Sequence, residues 1–183
     1  MRRSNELRCR TVLVLVASVF GLGACGIAGI THTQFNPMQE AVGGDRARLR
    51  VMTTGNPSGG AVWGAPERDC MDWGAETSGT VIGGFPGSRG LRDQSLGMPV
   101  GEQVRHHDSA EFYVRANQPI TLKYMVGSGV YQCWFAVSFV PEKDVDYDAF
   151  FMGTKLARSC TVNITSLSDP SKVVEVSPAG SCK

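Results

Sequence analysis

"VYQCWFAVSFV", Val130 to Val140, decides the fold. Tyr131, Cys133, Phe135, Val137 and Phe139 fall on alternate positions, the period of two that puts side chains on one face of a strand. Gly127-Ser128-Gly129 marks a turn before it, and Pro141-Glu142-Lys143-Asp144 marks another after it. Working outward, "ITLKYMV" places Ile120, Leu122, Tyr124 and Val126 on one side, and "AEFYVRA" places Phe112 and Val114 against Glu111, Tyr113 and Arg115. Asn117-Gln118-Pro119 separates these two, as a hairpin or as the bend of one long strand. "ARLRVMTTG" alternates Ala47, Leu49 and Val51 with Arg46, Arg48, Arg50 and Met52. "VDYDAFFMG" can run back after the Pro141 turn, "SCTVNITSL" points Cys160, Val162 and Ile164 inward, and "KVVEVSP" offers a last short strand. Turn-punctuated strands without an amphipathic helix predict an all-β antiparallel β-sandwich over residues 46–183.

Between Gly55 and Val104 the alternation fades into Gly and Pro, with "GTVIGG" as one candidate strand and Cys70 as the pin for the rest. A loop region this long either hides short strands or has a role. It is read equally as a binding surface and as a tolerated insertion.

The amino end carries a different signal. Arg2, Arg3, Arg8 and Arg10 precede an apolar run from Thr11 to Gly23, the layout of an export signal. Leu22-Gly23-Ala24-Cys25 then resembles the lipobox of bacterial lipoproteins. The resemblance implies a signal peptide of residues 1–24, removed on processing, and a diacylated Cys25 at the head of a tether, residues 25–45. Gly21, Gly23, Gly26 and Gly29 dilute the alternative of a membrane span, which needs about 20 predominantly apolar residues. Gly26, where an aspartate retains such lipoproteins at the inner membrane, implies the outer membrane, with the domain facing the periplasm. "Cys133…Phe139-Val140-Pro141-Glu142…Tyr147…Cys160-Thr161-Val162" is similar to a run in small envelope lipoproteins, which implies a compact β domain with no activity attached.

Removing four Arg and one Glu with the leader leaves 14 basic against 16 acidic side chains. That balance supplies no basic patch for a nucleic acid. Of the six cysteines, Cys9 leaves with the leader and Cys25 takes lipid, so Cys70, Cys133, Cys160 and Cys182 remain for two disulfides in an oxidising compartment. Three pairings are possible. The preferred one is Cys70–Cys133, which restrains the irregular region, with Cys160–Cys182, which pins the tail.

No catalytic residue, metal site or cofactor is assigned. Asp144, Asp146 and Asp148 have the spacing that opens an EF-hand loop, but Ala149 and Lys155 stand where Gly and Glu are required. His106 and His107 are neighbours that point apart on an extended chain, which favours a solvated turn. Asn163-Ile164-Thr165 matches a glycosylation acceptor that the bacterial reading sets aside. Glu67, Asp69, Asp72 and Glu76 show no spacing that pairs two carboxylates for glycoside cleavage.

Trp134 remains. It faces away from the Cys133–Phe139 side, beside Ala136 and Val140. Either it anchors a partner, or the 55–104 loop folds over it and brings Trp63 or Trp73 against it. The expected function is a non-enzymatic binding or assembly module, tethered by lipid and engaging a protein or envelope component. An inhibitor of a cell-wall hydrolase is the alternative, and a wall-active enzyme ranks third.

Overall fold

The computed structural model describes residues 32–54, 60–84, 86–99, 107–128, 131–154 and 159–183. Nine strands run through it: β1 Arg46–Thr53, β2 Ala61–Pro66, β3 Gly79–Ile82, β4 Asp108–Arg115, β5 Ile120–Ser128, β6 Tyr131–Phe139, β7 Asp146–Gly153, β8 Cys160–Ser166 and β9 Ser177–Pro178. They form two sheets, one ordered β4-β1-β7-β8 and the other β3-β2-β5-β6-β9. The fold is a β-sandwich. The predicted inner faces meet in its core, where Leu49, Val51, Phe112 and Phe151 of one sheet oppose Leu122, Tyr124, Val126 and Phe139 of the other. Aromatic pairs tie the layers, with Tyr124 to Phe151 at 5.3 Å and Phe139 to Tyr147 at 5.4 Å between ring centroids. Such pairs add roughly 0.5–1.5 kcal/mol each beyond area burial.

Two connections differ from the linear reading. β4 and β5 do not form a hairpin: β4 pairs with β1, whereas β5 pairs with β2 and β6. The chain changes sheet at Ala116–Pro119, and Asn117 takes a left-handed φ of 58° there. Likewise β7 does not run back along β6. It crosses to the four-stranded sheet and lies parallel to β1, the one parallel pairing between named strands. Alternation fixes which side of a strand is dry but not which strand lies beside it, so the choice between a hairpin and one bent strand at Asn117-Gln118-Pro119, and the path of β7, depend on strand order. Tyr147 sets the second crossing, because its hydroxyl accepts the Glu142 N–H at 3.0 Å across the Pro141–Asp144 turn.

Among its described residues, the Gly/Pro-rich region contains two strands. β3 is the expected "GTVI", whereas β2 was hidden because it is buried on both faces: Ala61, Val62, Trp63 and Ala65 are all buried, which erases alternation.

The tether boundary also moves. Residues 32–45 were expected to be free, but the part from Thr33 to Ala41 is bound to the domain. Met38 is 2 % exposed within the core, its N–H donates to Thr80 O at 3.1 Å, and the Ala41 N–H donates to Tyr113 O. Two glycines make room for it. A Cβ on Gly64 would lie 2.2 Å from Met38 Sδ, and one on Gly79 would lie 2.4 Å from the Met38 backbone nitrogen. A sulfur at the end of a flexible side chain can swing aside; a hydrogen-bonded backbone cannot. Gly79→Ala is therefore expected to lose about 1–3 kcal/mol in urea unfolding, the range for overpacked cores, and Gly64→Ala less. Equal, small losses would show that Met38 does not lock the segment.

The disulfides correct the preferred pairing. They are Cys70–Cys182 and Cys133–Cys160. β6 and β8 lie in opposite sheets along the same side of the sandwich, so inward-facing Cys133 and Cys160 meet across the core. Cys182 reaches Cys70 instead because the tail runs beside Met71: the Met71 N–H donates to Gly180 O at 2.8 Å and the Cys182 N–H to Met71 O at 3.1 Å. On the way the tail bridges both sheets, with Val173 opposite Thr165 of β8 and Ser177 opposite Ser138 of β6. Cys182 pins the tail as expected, but to Cys70 and not to Cys160.

Candidate recognition face

The outer face of the five-stranded sheet is set by register. Ala61 lies opposite Met125, which lies opposite Trp134; Trp63 lies opposite Lys123, which lies opposite Ala136. On the β2 side this face is roofed by the loop of residues 67–78. Met71, 1 % exposed, and the half-buried Trp73 pack on Trp63, whose ring meets Trp73 at 5.8 Å and 63°. The roof is fastened at several points. Thr121 Oγ1 donates to Arg68 O at 2.9 Å, Thr33 Oγ1 donates to Trp73 O at 2.7 Å, and the Cys70–Cys182 bridge holds the loop to the tail. Asp72 Oδ1 accepts the N–H groups of Gly74 and Ala75, each at 3.1 Å, an Asx turn that presents Trp73.

The roof stops at Lys123. Its ammonium lies 5.0 Å from the Trp73 ring and 5.0 Å from the Trp134 ring, a cation between two indoles. Burial pushes the Lys123 pKa down. Among the described residues no carboxylate lies within ion-pair distance of it. Beyond Lys123 the face is open: Trp134 is 63 % exposed, and Val140, further along the same chain, 55 %. The loop thus covers Trp63 and leaves Trp134 in solvent, so the expectation that it folds over Trp134 does not hold.

The other sequence candidates are dispersed. Cys25 and His106 lie outside the described residues. His107 rests on Phe150 at 5.0 Å between ring centroids. Asp146 and Asp148 are engaged by arginines, at 2.6 Å to Arg48 and 2.8 Å to Arg50, and Asp144 is an exposed turn residue at φ 59°. Glu67 pairs with Arg115 and Asp72 with Arg68, while Asp69 and Glu76 are exposed. Among the described residues no group of three His, Cys, Asp or Glu side chains is placed to hold a metal.

The sequence reading missed a buried charge cluster on the outer face of the four-stranded sheet. Arg50, assigned to a wet face, is 1 % exposed, paired with Asp148 and with Glu111 at 3.3 Å. A strap of residues 95–99 covers it. The Ser95 hydroxyl and the N–H groups of Leu96 and Met98 donate to Glu111 Oε2, and Pro99 O accepts from Arg50 at 2.8 Å. The only sequence signal was two arginines and two aspartates at matching alternate positions, Arg48 and Arg50 against Asp146 and Asp148.

No family model matches this chain, and no curated protein matches it. Fold and surface define a disulfide-stapled β-sandwich module that leaves the aromatic face around Trp134 open.

Proposed function

We propose that this chain is a non-enzymatic binding module of the cell envelope, anchored by lipid at Cys25 in the outer membrane, facing the periplasm, and recognising an envelope component through the face around Trp134. The observation that carries the reading is Trp134 itself, a large ring left 63 % exposed on a strand stapled by Cys133–Cys160. Trp is enriched among the residues that anchor binding surfaces, and a rigid strand holds such a ring in one place. Glu67, Asp72, Asp146 and Asp148 are each held by an arginine, which supports a role in binding rather than turnover.

Three measurements test it. Intact mass should show a diacylglyceryl group on Cys25 and no residues 1–24; an unmodified Cys25 or a retained Met1 removes the anchor. A photo-crosslinking residue at position 134 should give a discrete adduct in intact envelopes, whereas one at the exposed Thr161 of β8 should not. Trp134→Ala should abolish binding yet change stability by less than about 1 kcal/mol, as exposed positions do. A loss of about 3–5 kcal/mol would mark Trp134 as core.

A further inference from the structure

We infer that the component this face engages is the lipid surface of the anchoring membrane, so that the domain lies on the bilayer through Trp134 rather than floating above it. The inference rests on the lipidation of Cys25 and gives the proposed face its occupant. Three observations carry it.

The first is reach. Cys25 precedes His32 by seven residues, which span at most roughly 25 Å even when extended. The chain is not free beyond that point, because buried Thr33 is hydrogen-bonded to Trp73 O and Met38 is locked in the core. A lipid at Cys25 therefore holds the domain within a few nanometres of the headgroups.

The second is where the tether joins. It meets the domain at Trp73, and the Trp73 and Trp134 rings touch the same Lys123 ammonium. The short link thus enters on the roofed side of the same sheet, at its β3 edge, where the Thr80 hydroxyl donates to Thr33 O, and the Trp73 roof spans from there to the open face; Phe35, 48 % exposed, lies two residues past the Thr33 contact. A tether fixed there presents this side of the sandwich to the membrane.

The third is chemistry. Indole rings settle at the boundary of headgroup and acyl chain, and a lysine beside them extends its ammonium to the phosphates. Lys123 has no carboxylate partner among the described residues, and an anionic headgroup would supply one. One docking side chain is weak alone but sufficient when the lipid already sets a high local concentration.

The experiment uses the full mature lipoprotein reconstituted in vesicles of phosphatidylethanolamine and phosphatidylglycerol, its Cys25 lipid verified by intact mass. Lipids brominated at different depths should quench a tryptophan component at the interface, and Trp134→Ser should remove that component while the buried Trp63 signal stays. Lys123→Gln should weaken the quenching and abolish its dependence on phosphatidylglycerol. Inserting about twenty Gly and Ser residues after Gly29 should lower the docking equilibrium constant about sevenfold, the fall in effective concentration with tether length. Lipidated protein with no quenching difference between wild type and Trp134→Ser would overturn the inference and leave the anchor intact. So would a crosslink from position 134 to a protein or glycan in place of lipid. An unacylated Cys25 would overturn the anchor reading, and the inference with it.

Discussion

Glu111→Ala is expected to destabilise the protein by about 3–5 kcal/mol, because three donors of the 95–99 strap lose their shared acceptor, at about 1–3 kcal/mol for each donor left buried and unsatisfied, and buried Arg50 loses one of its two carboxylates. Glu111 is 5 % exposed and closes a cluster that Arg50 cannot leave. Without it, Arg50 keeps only Asp148 and the Pro99 carbonyl, and the donors of Ser95, Leu96 and Met98 lose their acceptor. Urea unfolding measures the loss, and Glu111→Gln, which keeps an acceptor oxygen, should lose less. A change below about 1 kcal/mol would show that the 95–99 strap is held by other contacts.

The same cluster sets an acid limit. Burial pushes the Glu111 carboxyl up, but the N–H groups of Met98 and Leu96, the Ser95 hydroxyl and Arg50 outweigh it and hold the pKa below the ordinary value. A depressed carboxylate stabilises the fold above its unfolded pKa, about 4.3, and that stability disappears as pH falls through the folded value. Asp148 acts in the opposite sense. Burial raises its pKa against the pull of Arg50, so the native state holds that proton more tightly and acid favours it. The two partly cancel in the wild type. Glu111→Gln removes the depressed group, so its stability should fall less than that of the wild type between pH 5 and pH 3, a range framed by the ordinary carboxylate values. Parallel acid profiles would contradict this assignment.

Removing the Cys70–Cys182 bridge by a double serine substitution carries the second large effect. The bridge spans 112 residues of sequence and Cys133–Cys160 spans 27. Chain entropy assigns about 4.8 kcal/mol to the former and about 3.6 kcal/mol to the latter. The consequences should differ in kind as well as size. Cys133–Cys160 joins two strands already buried against one core, whereas Cys70–Cys182 fastens the tail and the Trp73 roof. Loss of the longer bridge should therefore also speed proteolysis between Lys172 and Lys183 and red-shift Trp73 emission. Unfolding by denaturant under non-reducing conditions compares the two variants. If the Cys133–Cys160 variant were the less stable, local strand packing rather than chain closure would dominate.

The sandwich was legible because alternation is a local property. Leu49 and Val51, Phe112 and Val114, and Tyr124 and Val126 declare their faces within seven or eight residues, before any partner strand is known. β2 was not legible, because a strand buried on both sides by Met38 and by the Met71–Trp73 roof carries no alternation to read. Arg50 was misread for a related reason: its sheet face is wet by sequence rule and dry only because residues 95–99 return over it.

Trp134 shows the division most plainly. Its direction, away from the Cys133 and Phe135 side, follows from position parity on one strand. Whether it meets solvent depends on how far a loop about sixty residues earlier reaches across the sheet, and that loop ends at Lys123. The cysteines divide the same way. The sequence by itself determined four cysteines for two bridges and the inward facing of Cys133 and Cys160. Which thiols meet depended on strand order and on the path of the tail past Met71, both products of long-range packing. Side-chain direction is set by each residue's own backbone, whereas adjacency of strands, bridges and roofs is set by contacts between segments far apart in the chain. Only the tertiary structure decided those.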